Sequence, residues 1–227
     1  MVRYTWTRVL GFFALAMLGL QLTGCNGDAS AAPVGPPLGP TCHNDDPNHL
    51  CLGVKYVVYK DAAGQLAASQ DAALKNLKTM NQIWSSCNIS FQIDQFGGVN
   101  PSDFGLKYRT QNTPELDDVR NSFADDSTLL MVTTGQWDRS GTLGSTKANA
   151  WTAMPGGAPY GVVLEKPVGD FAGILAHELG HYLNLNHVND SSDLMDPIIY
   201  SQSTFLSDSQ CAGARATALG SWQKMIR

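Results

Sequence analysis

The stretch that decides this fold is HELGHYLNLNH, residues 177–187. In a helix, positions four apart lie one above the other on one face, so His177 and His181 can direct two imidazole nitrogens at one ion. Glu178 can reach a water on that ion and act as a general base. If the helix ends near Asn184, the chain can turn back and bring His187 in as a third ligand. Three imidazoles with one open position are typical of a catalytic zinc site.

The residues before this stretch predict how the helix is held. Asp170 is a plausible N-cap for a helix over 171–183. An apolar stripe at i, i+4 and i+8 is formed by Leu175, Leu179 and Leu183. At 100° per residue, the two histidines lie about 200° around the helix from the leucines. The leucines are therefore expected to face the core while the histidines face a cleft.

The chain upstream predicts a sheet covered by helices. Strands are predicted over residues 54–60, 89–96, 128–134, 148–154 and 161–165. The run TLLMVTT at 128–134 is nearly all apolar, which is typical of a strand buried on both faces of a parallel sheet. Gly97 and Gly98 are expected to end the second strand. Helices are predicted over 66–84, 114–123 and 208–226, the last capped by Ser207 with Ala214, Ala218, Leu219 and Trp222 facing inward. This order indicates an α/β sheet with helices packed on it.

A second motif follows the histidines at 194–197, with the sequence LMDP. Together, H-E-x-x-H-x-x-N-x-x-H and this turn resemble the signature of the metzincins, which are zinc-dependent endopeptidases. The resemblance covers roughly residues 54–226. It implies an α/β (α+β) fold with a mostly parallel, twisted five-stranded sheet and two long helices. A small C-terminal subdomain with a terminal helix completes that fold.

The resemblance also implies a role for each motif residue. His177, His181 and His187 correspond to the ligands of one catalytic Zn²⁺, and Glu178 corresponds to the general base that activates the zinc-bound water. Met195 corresponds to the Met-turn residue that packs beneath the metal without binding it. These roles are chemically reasonable, because neutral imidazole suits zinc and a thioether packs softly.

The chain departs from the family pattern at two positions. Asn184 replaces the family's glycine, and asparagine is the residue that best tolerates the left-handed conformation after glycine. Pro197 stands where some branches have a tyrosine ligand. By analogy, 148–154 would be the edge strand that binds an extended peptide. The wall of the substrate pocket would be lined by Ile198, Ile199, Tyr200, Phe205 and Leu206, although ordinary core is an equally good interpretation of each.

The N-terminal residues have the features of an export signal. Arg3 and Arg8 precede an apolar run at 9–20 that is short for a membrane span. The sequence LTGC at 22–25 resembles the bacterial lipobox, in which the cysteine is acylated. We therefore expect a signal peptide at 1–24 and a lipid on Cys25. The protein would then be an exported bacterial lipoprotein at the outer membrane, the cell surface or the periplasm. The alternative is an ordinary secretory peptide with an incidental cysteine.

The chain after the predicted signal peptide divides into two further segments. Residues 25–50 are predicted to form a Gly/Pro-rich tether and a short disulfide loop, and residues 51–227 are predicted to form the catalytic domain.

In an exported protein, four further cysteines favour two disulfides. Of the three pairings we favour Cys42–Cys51 and Cys87–Cys211. The polar residues of 41–50, which include His43, Asp45, Asp46 and His49, are either a solvated loop or a latency segment over the zinc.

Composition limits the partners. A chain of 227 residues suits one domain, and a formal charge of −5 without a basic patch predicts no nucleic-acid partner. We expect a monomer that acts on a protein or peptide, held at a membrane by its lipid. Structural Ca²⁺ has no defensible loop among Asp117, Asp118, Asp125, Asp126 and Asp138. The alternatives are a catalytically silent metal-binding surface lipoprotein, such as an adhesin, and a purely structural H-E-x-x-H, but Glu178 favours an enzyme.

Overall fold

The apolar runs of the sequence form one sheet of five strands in the computed structural model, which describes residues 35–42 and 46–227. The strands are β1 (Leu50–Tyr59), β2 (Ile89–Val99), β3 (Leu129–Thr134), β4 (Ala150–Ala153) and β5 (Gly161–Glu165). Their order across the sheet is β2-β1-β3-β5-β4. All neighbours pair in parallel except β4, which runs antiparallel to β5 at the edge. The predicted mostly parallel five-stranded α/β sheet is confirmed.

Helices cover both faces of this sheet. They are α1 (Gln70–Trp84), α2 (Thr113–Phe123), α3 (Leu143–Thr146), α4 (Ala172–Tyr182) and α5 (Asp208–Ser221). Side chains of Ser69, Asn112 and Ser207 accept hydrogen bonds from free backbone N–H groups at the starts of α1, α2 and α5. Such caps satisfy donors that a helix leaves unpaired at its N-terminus. The predicted Ser207 cap is confirmed.

Two apolar layers lie on opposite faces of the sheet because side chains alternate along each strand. In β1, Val54, Tyr56 and Val58 pack with α1 and α4, whereas Val57 and Tyr59 pack with α2. Every residue of β1 and β3 is buried. This burial on both faces is what the apolar run at 128–134 predicts.

Two predicted strand and helix ends are wrong in the first half of the chain. Gly97 and Gly98 do not end β2; they pair with Val57 and Val58 as β2 continues to Val99. A Cβ at residue 98 would overlap the side chain of Leu66, so glycine allows a close approach there instead of a turn. Leu66 itself forms a bridge with Lys60, and α1 therefore begins later than predicted, after Ser69.

Two predictions in the second half are also wrong. Asp170 does not cap α4, because its N–H bonds to the Pro167 carbonyl and residues 168–170 wind into a 3₁₀ turn. Phe171 takes the capping position without a side-chain hydrogen bond. The last helix ends at Ser221, and Leu219 is 47% exposed instead of facing inward. Trp222 follows the helix end, where its indole Nε1 donates to the Tyr182 carbonyl.

Both predicted disulfides are present, between Cys42 and Cys51 and between Cys87 and Cys211. Part of the predicted tether is packed, since the Leu38 N–H donates to the Ile93 carbonyl at 2.9 Å and its side chain contacts the core. Residues 1–34, which include Cys25 and the predicted signal peptide, lie outside the described residues. None of the helices that the structure describes has the length and apolar character needed to cross a bilayer.

Candidate metal centre

Helix α4 places two histidines and a glutamate on one side of a cleft. Its leucine stripe is fully buried, with Leu175, Leu179 and Leu183 at most 1% exposed. His177 and Glu178 are also buried, whereas His181 is half-buried. The indole Nε1 of Trp84 in α1 donates to the Ala176 carbonyl at 3.2 Å and holds α4 against its neighbour. The predicted orientation of the stripe toward the core is confirmed.

The end of α4 turns the chain back toward these residues. Asn184 has a φ of 66°, the left-handed conformation that asparagine tolerates well. Its N–H donates to the His181 carbonyl, and the Leu185 N–H donates to the Gly180 carbonyl. This pair of bonds is a Schellman motif, which closes a helix C-terminus through a left-handed residue. The reversal brings His187 beside the helix.

The three histidines form a compact group. One side-chain nitrogen from each lies within 4.8 Å of the other two. Nε2 of His181 and Nε2 of His187 are 3.0 Å apart. Within residues 35–42 and 46–227, this is the only group of three or more His, Cys, Asp or Glu residues placed to hold a metal ion. The predicted ligands are therefore brought together.

The backbone fixes the tautomers of two of these rings. Nδ1 of His177 donates to the Leu194 carbonyl at 2.7 Å, and Nδ1 of His181 donates to the Leu185 carbonyl at 2.8 Å. A carbonyl can only accept, so each Nδ1 carries the proton and each Nε2 keeps a free lone pair. These two nitrogens, with one from His187, suit zinc, which leaves a fourth tetrahedral position open. The donor set therefore fits this metal.

Burial keeps the imidazoles of His177 and His181 neutral, the form that binds metal. It lowers the pKa of His177 to about 4, against the hydrogen bond to Leu194. Burial also lowers the pKa of His181. A charged imidazole loses its hydration in such surroundings, so the neutral form is favoured near pH 7. Neither histidine needs to release a proton when a metal binds at that pH.

Glu178 lies beside the histidines and contacts the edge strand. Its Oε2 accepts a hydrogen bond from the Thr152 hydroxyl at 2.5 Å. Burial raises the pKa of this carboxyl to about 7, while the Thr152 hydrogen bond and the charge of Arg120 oppose the rise. A carboxyl with a pKa near the working pH can both take up and release a proton. Neither Thr152 nor Arg120 carries a motif, so sequence reasoning missed both.

Met195 forms the floor behind α4. It is fully buried, and a Cβ on Gly180 would overlap its Sδ atom. The Met195 N–H donates to Oδ1 of Asp193 at 2.7 Å, and its carbonyl accepts from the Val188 N–H at 2.8 Å. The turn that contains Met195 is therefore bonded to the loop that carries His187. The sequence predicted Met195 beneath the site but missed the requirement for glycine at 180.

A cleft of about 600 Å³ opens over the histidines and Glu178. Its walls come from β4, the residues before it and the turn after Met195. Ile198 and Ile199 line the cleft as predicted, but Tyr200 does not. Phe205 is 56% exposed and Leu206 is buried in the main core, so these two residues do not line the cleft either. The Tyr200 N–H donates to the Ser203 hydroxyl, and Tyr200 is 46% exposed.

The described polar residues of the predicted latency segment bond elsewhere. His49 contacts Asn88 through Nδ1 and Ser90 through Nε2. Asp46 accepts a hydrogen bond from the Asn88 side chain. Both residues therefore lie at the start of β2, whereas β4 borders the cleft from the opposite edge of the sheet. His43 and Asp45 lie outside the described residues.

Four of the five aspartates considered for calcium have side-chain partners within the protein. Asp117 pairs with Arg120, Asp126 with Lys224, and Asp138 accepts from the Gln111 amide. Asp125 accepts from the Ser127 and Thr128 N–H groups and pairs with Lys55. These contacts are those of loop caps and of ion pairs within the protein.

A mostly parallel α/β sheet with a histidine cluster at its antiparallel edge defines a metzincin-type architecture. Comparison with known proteins makes this assignment more specific. The family model of the matrixins (Peptidase_M10) matches residues 54–217. The chain therefore belongs to the matrixin family, which is a family of metzincin-type zinc metalloproteases.

A solved structure supports the fold. The crystal structure of metalloproteinase-II from Bacteroides fragilis is similar with a TM-score of 0.54 and 14% identity. The match covers 83% of this chain and 59% of that chain, so this chain spans well under two thirds of that protein. At this identity the likeness concerns the fold alone. No curated protein matches the sequence.

Proposed function

We propose that this protein is a zinc-dependent endopeptidase in which His177, His181 and His187 hold the metal and Glu178 is the general base. The observation that carries the proposal is the position of the three imidazole nitrogens, within 4.8 Å of one another and beside a buried carboxylate in one cleft. Family membership supports the same conclusion. A purely structural histidine cluster would have no need of an open cleft or of a carboxylate beside it.

The chain's own residues would divide the work of hydrolysis. The three histidines would hold zinc, which would supply the Lewis acidity needed to polarise a scissile carbonyl and to make water nucleophilic near neutral pH. Glu178 would take the proton of the attacking water and pass it to the leaving amine. The Leu194 and Leu185 carbonyls hold His177 and His181 in the tautomer that leaves Nε2 free. Buried Met195 supports α4 from below.

Strand β4 would bind the substrate main chain. It is the last strand of the sheet and pairs only with β5, and Ala150, Trp151 and Thr152 line the cleft. An edge strand of this kind can accept an extended peptide through backbone hydrogen bonds. Ile174, Ile198 and Ile199 give the neighbouring wall an apolar surface. We therefore infer that an extended protein segment places an apolar side chain against this wall.

The test is a protease assay on a denatured protein with the wild-type protein and Glu178→Gln. We expect wild-type cleavage to stop with a zinc chelator and to return when zinc is added. Glu178→Gln should bind zinc but lose activity by about 100-fold or more, in the range attributed to a general base. The matched control is Asp118→Asn, which makes the same carboxylate-to-amide change on an exposed residue of α2 and should retain full activity.

Equal activity in wild-type protein and Glu178→Gln would reject the general-base role. Absence of cleavage by zinc-loaded wild-type protein, with zinc bound at one ion per chain, would favour the silent metal-binding alternative. Absence of bound zinc would reject the ligand assignment.

We also propose that Cys25 carries a lipid that anchors the protein on the outer membrane, with the domain exposed to the periplasm or the cell surface. The support is the order of Arg3 and Arg8, the apolar run at 9–20 and LTGC at 22–25. Labelled palmitate should enter the wild-type protein made in a bacterial host but not Cys25→Ser. Equal labelling of both, or labelling of neither, would reject this anchor without affecting the proposed protease activity.

A further inference from the structure

The carboxylate of Glu178 is buried and has a specific partner. Glu178 is 7% exposed, and the Thr152 hydroxyl donates to its Oε2 at 2.5 Å. The same hydroxyl oxygen lies 3.4 Å from the Glu178 backbone carbonyl, so it sits directly over this turn of α4. Among the described residues, Thr152 provides the one hydrogen bond donated to this carboxylate. A buried carboxylate strongly favours the orientation in which such a bond is kept.

Thr152 is itself held in a rigid position. It pairs with Val162 in the β4–β5 hairpin. Arg120, which is 2% exposed, donates from Nη2 to the Trp151 carbonyl at 2.6 Å and from Nε to the Gly161 carbonyl at 2.9 Å. One buried guanidinium therefore ties together both strands of the hairpin, next to Thr152. The position of β4 relative to β5 is fixed at this point.

We propose that Thr152 is a positioning residue that holds Oε2 of Glu178, so that Oε1 is directed at the attacking water. This inference rests on the proposed function, because it assigns the orientation of the proposed general base. It also couples two parts of the site. The strand that would bind the substrate main chain carries the hydroxyl that orients the base. Strand β4 would therefore position both the substrate and Glu178. Preorganisation of this kind reduces the reorientation needed when the reaction begins.

The test compares Thr152→Val with Thr152→Ser. Valine keeps the branched shape and removes the hydroxyl, whereas serine keeps the hydroxyl and removes the methyl. We expect Thr152→Val to lower kcat by about 10- to 100-fold, as the loss of a hydrogen bond to a charged group implies, with KM within about twofold of wild type. Thr152→Ser should restore kcat to within about threefold of wild type, and both variants should keep one zinc per chain.

A measurement without catalysis tests the contact itself. Urea midpoints of the metal-free wild type, Thr152→Val, Glu178→Gln and the double variant form a double-mutant cycle. We expect non-additive shifts, because Thr152→Val removes the donor and Glu178→Gln replaces the charged acceptor with a neutral amide, which accepts a weaker hydrogen bond. Additive shifts would show that the two side chains do not interact in solution and would overturn the proposal.

The outcomes separate this inference from the proposed function. If zinc-loaded wild-type protein cleaves no substrate, the proposed function fails while the cycle still reports on the contact. If wild-type protein is active and Thr152→Val has the same kcat, the positioning role is rejected and the protease assignment stands. A rise in KM alone would place the effect of Thr152→Val in substrate binding and would reject the role. A failure of serine to restore kcat would show that the methyl group's packing matters and would also reject it.

Discussion

Two single residues give the histidine site its shape through what their backbones allow. Asn184 adopts a left-handed φ of 66° that ends α4 and returns the chain toward the metal site. Gly180 has no side chain where Met195 packs. In both cases the requirement is steric and local to one Cα. Substitutions at these positions should therefore affect stability in a manner that depends on shape more than on polarity.

Asn184→Val should destabilise the protein and weaken zinc binding. A β-branched residue pays about 1–2 kcal/mol to adopt the left-handed region, and a shifted turn would move His187. Asn184→Gly is the control, because glycine adopts the same φ without strain and should stay close to wild type. Urea unfolding of the metal-free proteins and competition for zinc with a fluorescent chelator measure the two effects. Equal behaviour of the valine and glycine variants would contradict the argument.

Gly180→Ala should lower the free energy of unfolding by about 1–3 kcal/mol, which is the usual effect of overpacking a filled core. The new methyl group would overlap Sδ of Met195, which is fully buried, and would also contact the Trp84 side chain. Gly220→Ala is the control. No atom lies within 4 Å of its added methyl group, and alanine in place of helical glycine should stabilise by about 0.5–1 kcal/mol. Urea midpoints of the two variants should therefore move in opposite directions.

At the scale of elements, α5 is bonded both to the metal-site turn and to the end of α1. The Gln210 side chain completes the capping box with Ser207 and donates from Nε2 to Oδ1 of Asp193 at 2.9 Å. The next residue, Cys211, forms the disulfide with Cys87. Arg215, one turn further, donates from Nη1 to the Asn88 carbonyl at 2.9 Å. The last helix therefore clamps the Met195 turn against the rest of the domain.

Removal of the Cys87–Cys211 disulfide should cost more stability than removal of Cys42–Cys51. The separations are 124 and 9 residues, and a crosslink that closes a longer loop restricts the unfolded chain more. By the loop-closure relation the difference is roughly 2 kcal/mol. Paired Cys→Ser variants, compared by urea unfolding without reductant, measure it. A larger loss on removing Cys42–Cys51 would show that strain or contacts of the folded state outweigh this entropy.

At the scale of the whole molecule, a bound metal would link α4 to the loop that follows it. The ligands come from two places, the buried face of α4 and the exposed residue His187 after the turn. An ion that binds the folded chain and not the unfolded chain stabilises the whole fold, and by about 4 kcal/mol when zinc is at 1,000 times its dissociation constant. Zinc binding should weaken in acid, because protonation of the imidazoles competes with the metal.

Chelation should therefore lower the Tm of the wild-type protein by several degrees, and added zinc should restore it. Glu178→Gln keeps all three ligands and should respond in the same way. His181→Ala removes one ligand, so its Tm should change much less with chelator. Differential scanning calorimetry of the three proteins with and without chelator provides the measurement. An unchanged wild-type Tm after complete zinc removal would contradict coupling between the metal and the fold.

Prediction from the sequence was most successful for features that depend only on residues within one helix or strand. The leucine stripe, the Ser207 cap and the apolar runs of β3 and β5 each depend on neighbouring residues. It failed where a distant group changes the outcome. Gly98 lies in a strand with the Leu66 side chain packed where a Cβ would be, and Tyr200 lies outside the cleft lining with its N–H bonded to Ser203.

The sequence alone determined the helix of the histidines and the spacing of its possible metal ligands, because periodicity and motif spacing act over a few residues. The mostly parallel sheet was implied by the family resemblance that these motifs carry. Only the tertiary structure decided that Thr152 holds Glu178, that Gly180 makes room for Met195, and that Arg120 pins the β4–β5 hairpin. These contacts join residues that are 15 or more positions apart and that belong to no common motif or periodic pattern of the sequence. They are set by how the sheet and helices pack, which no local property of the sequence specifies.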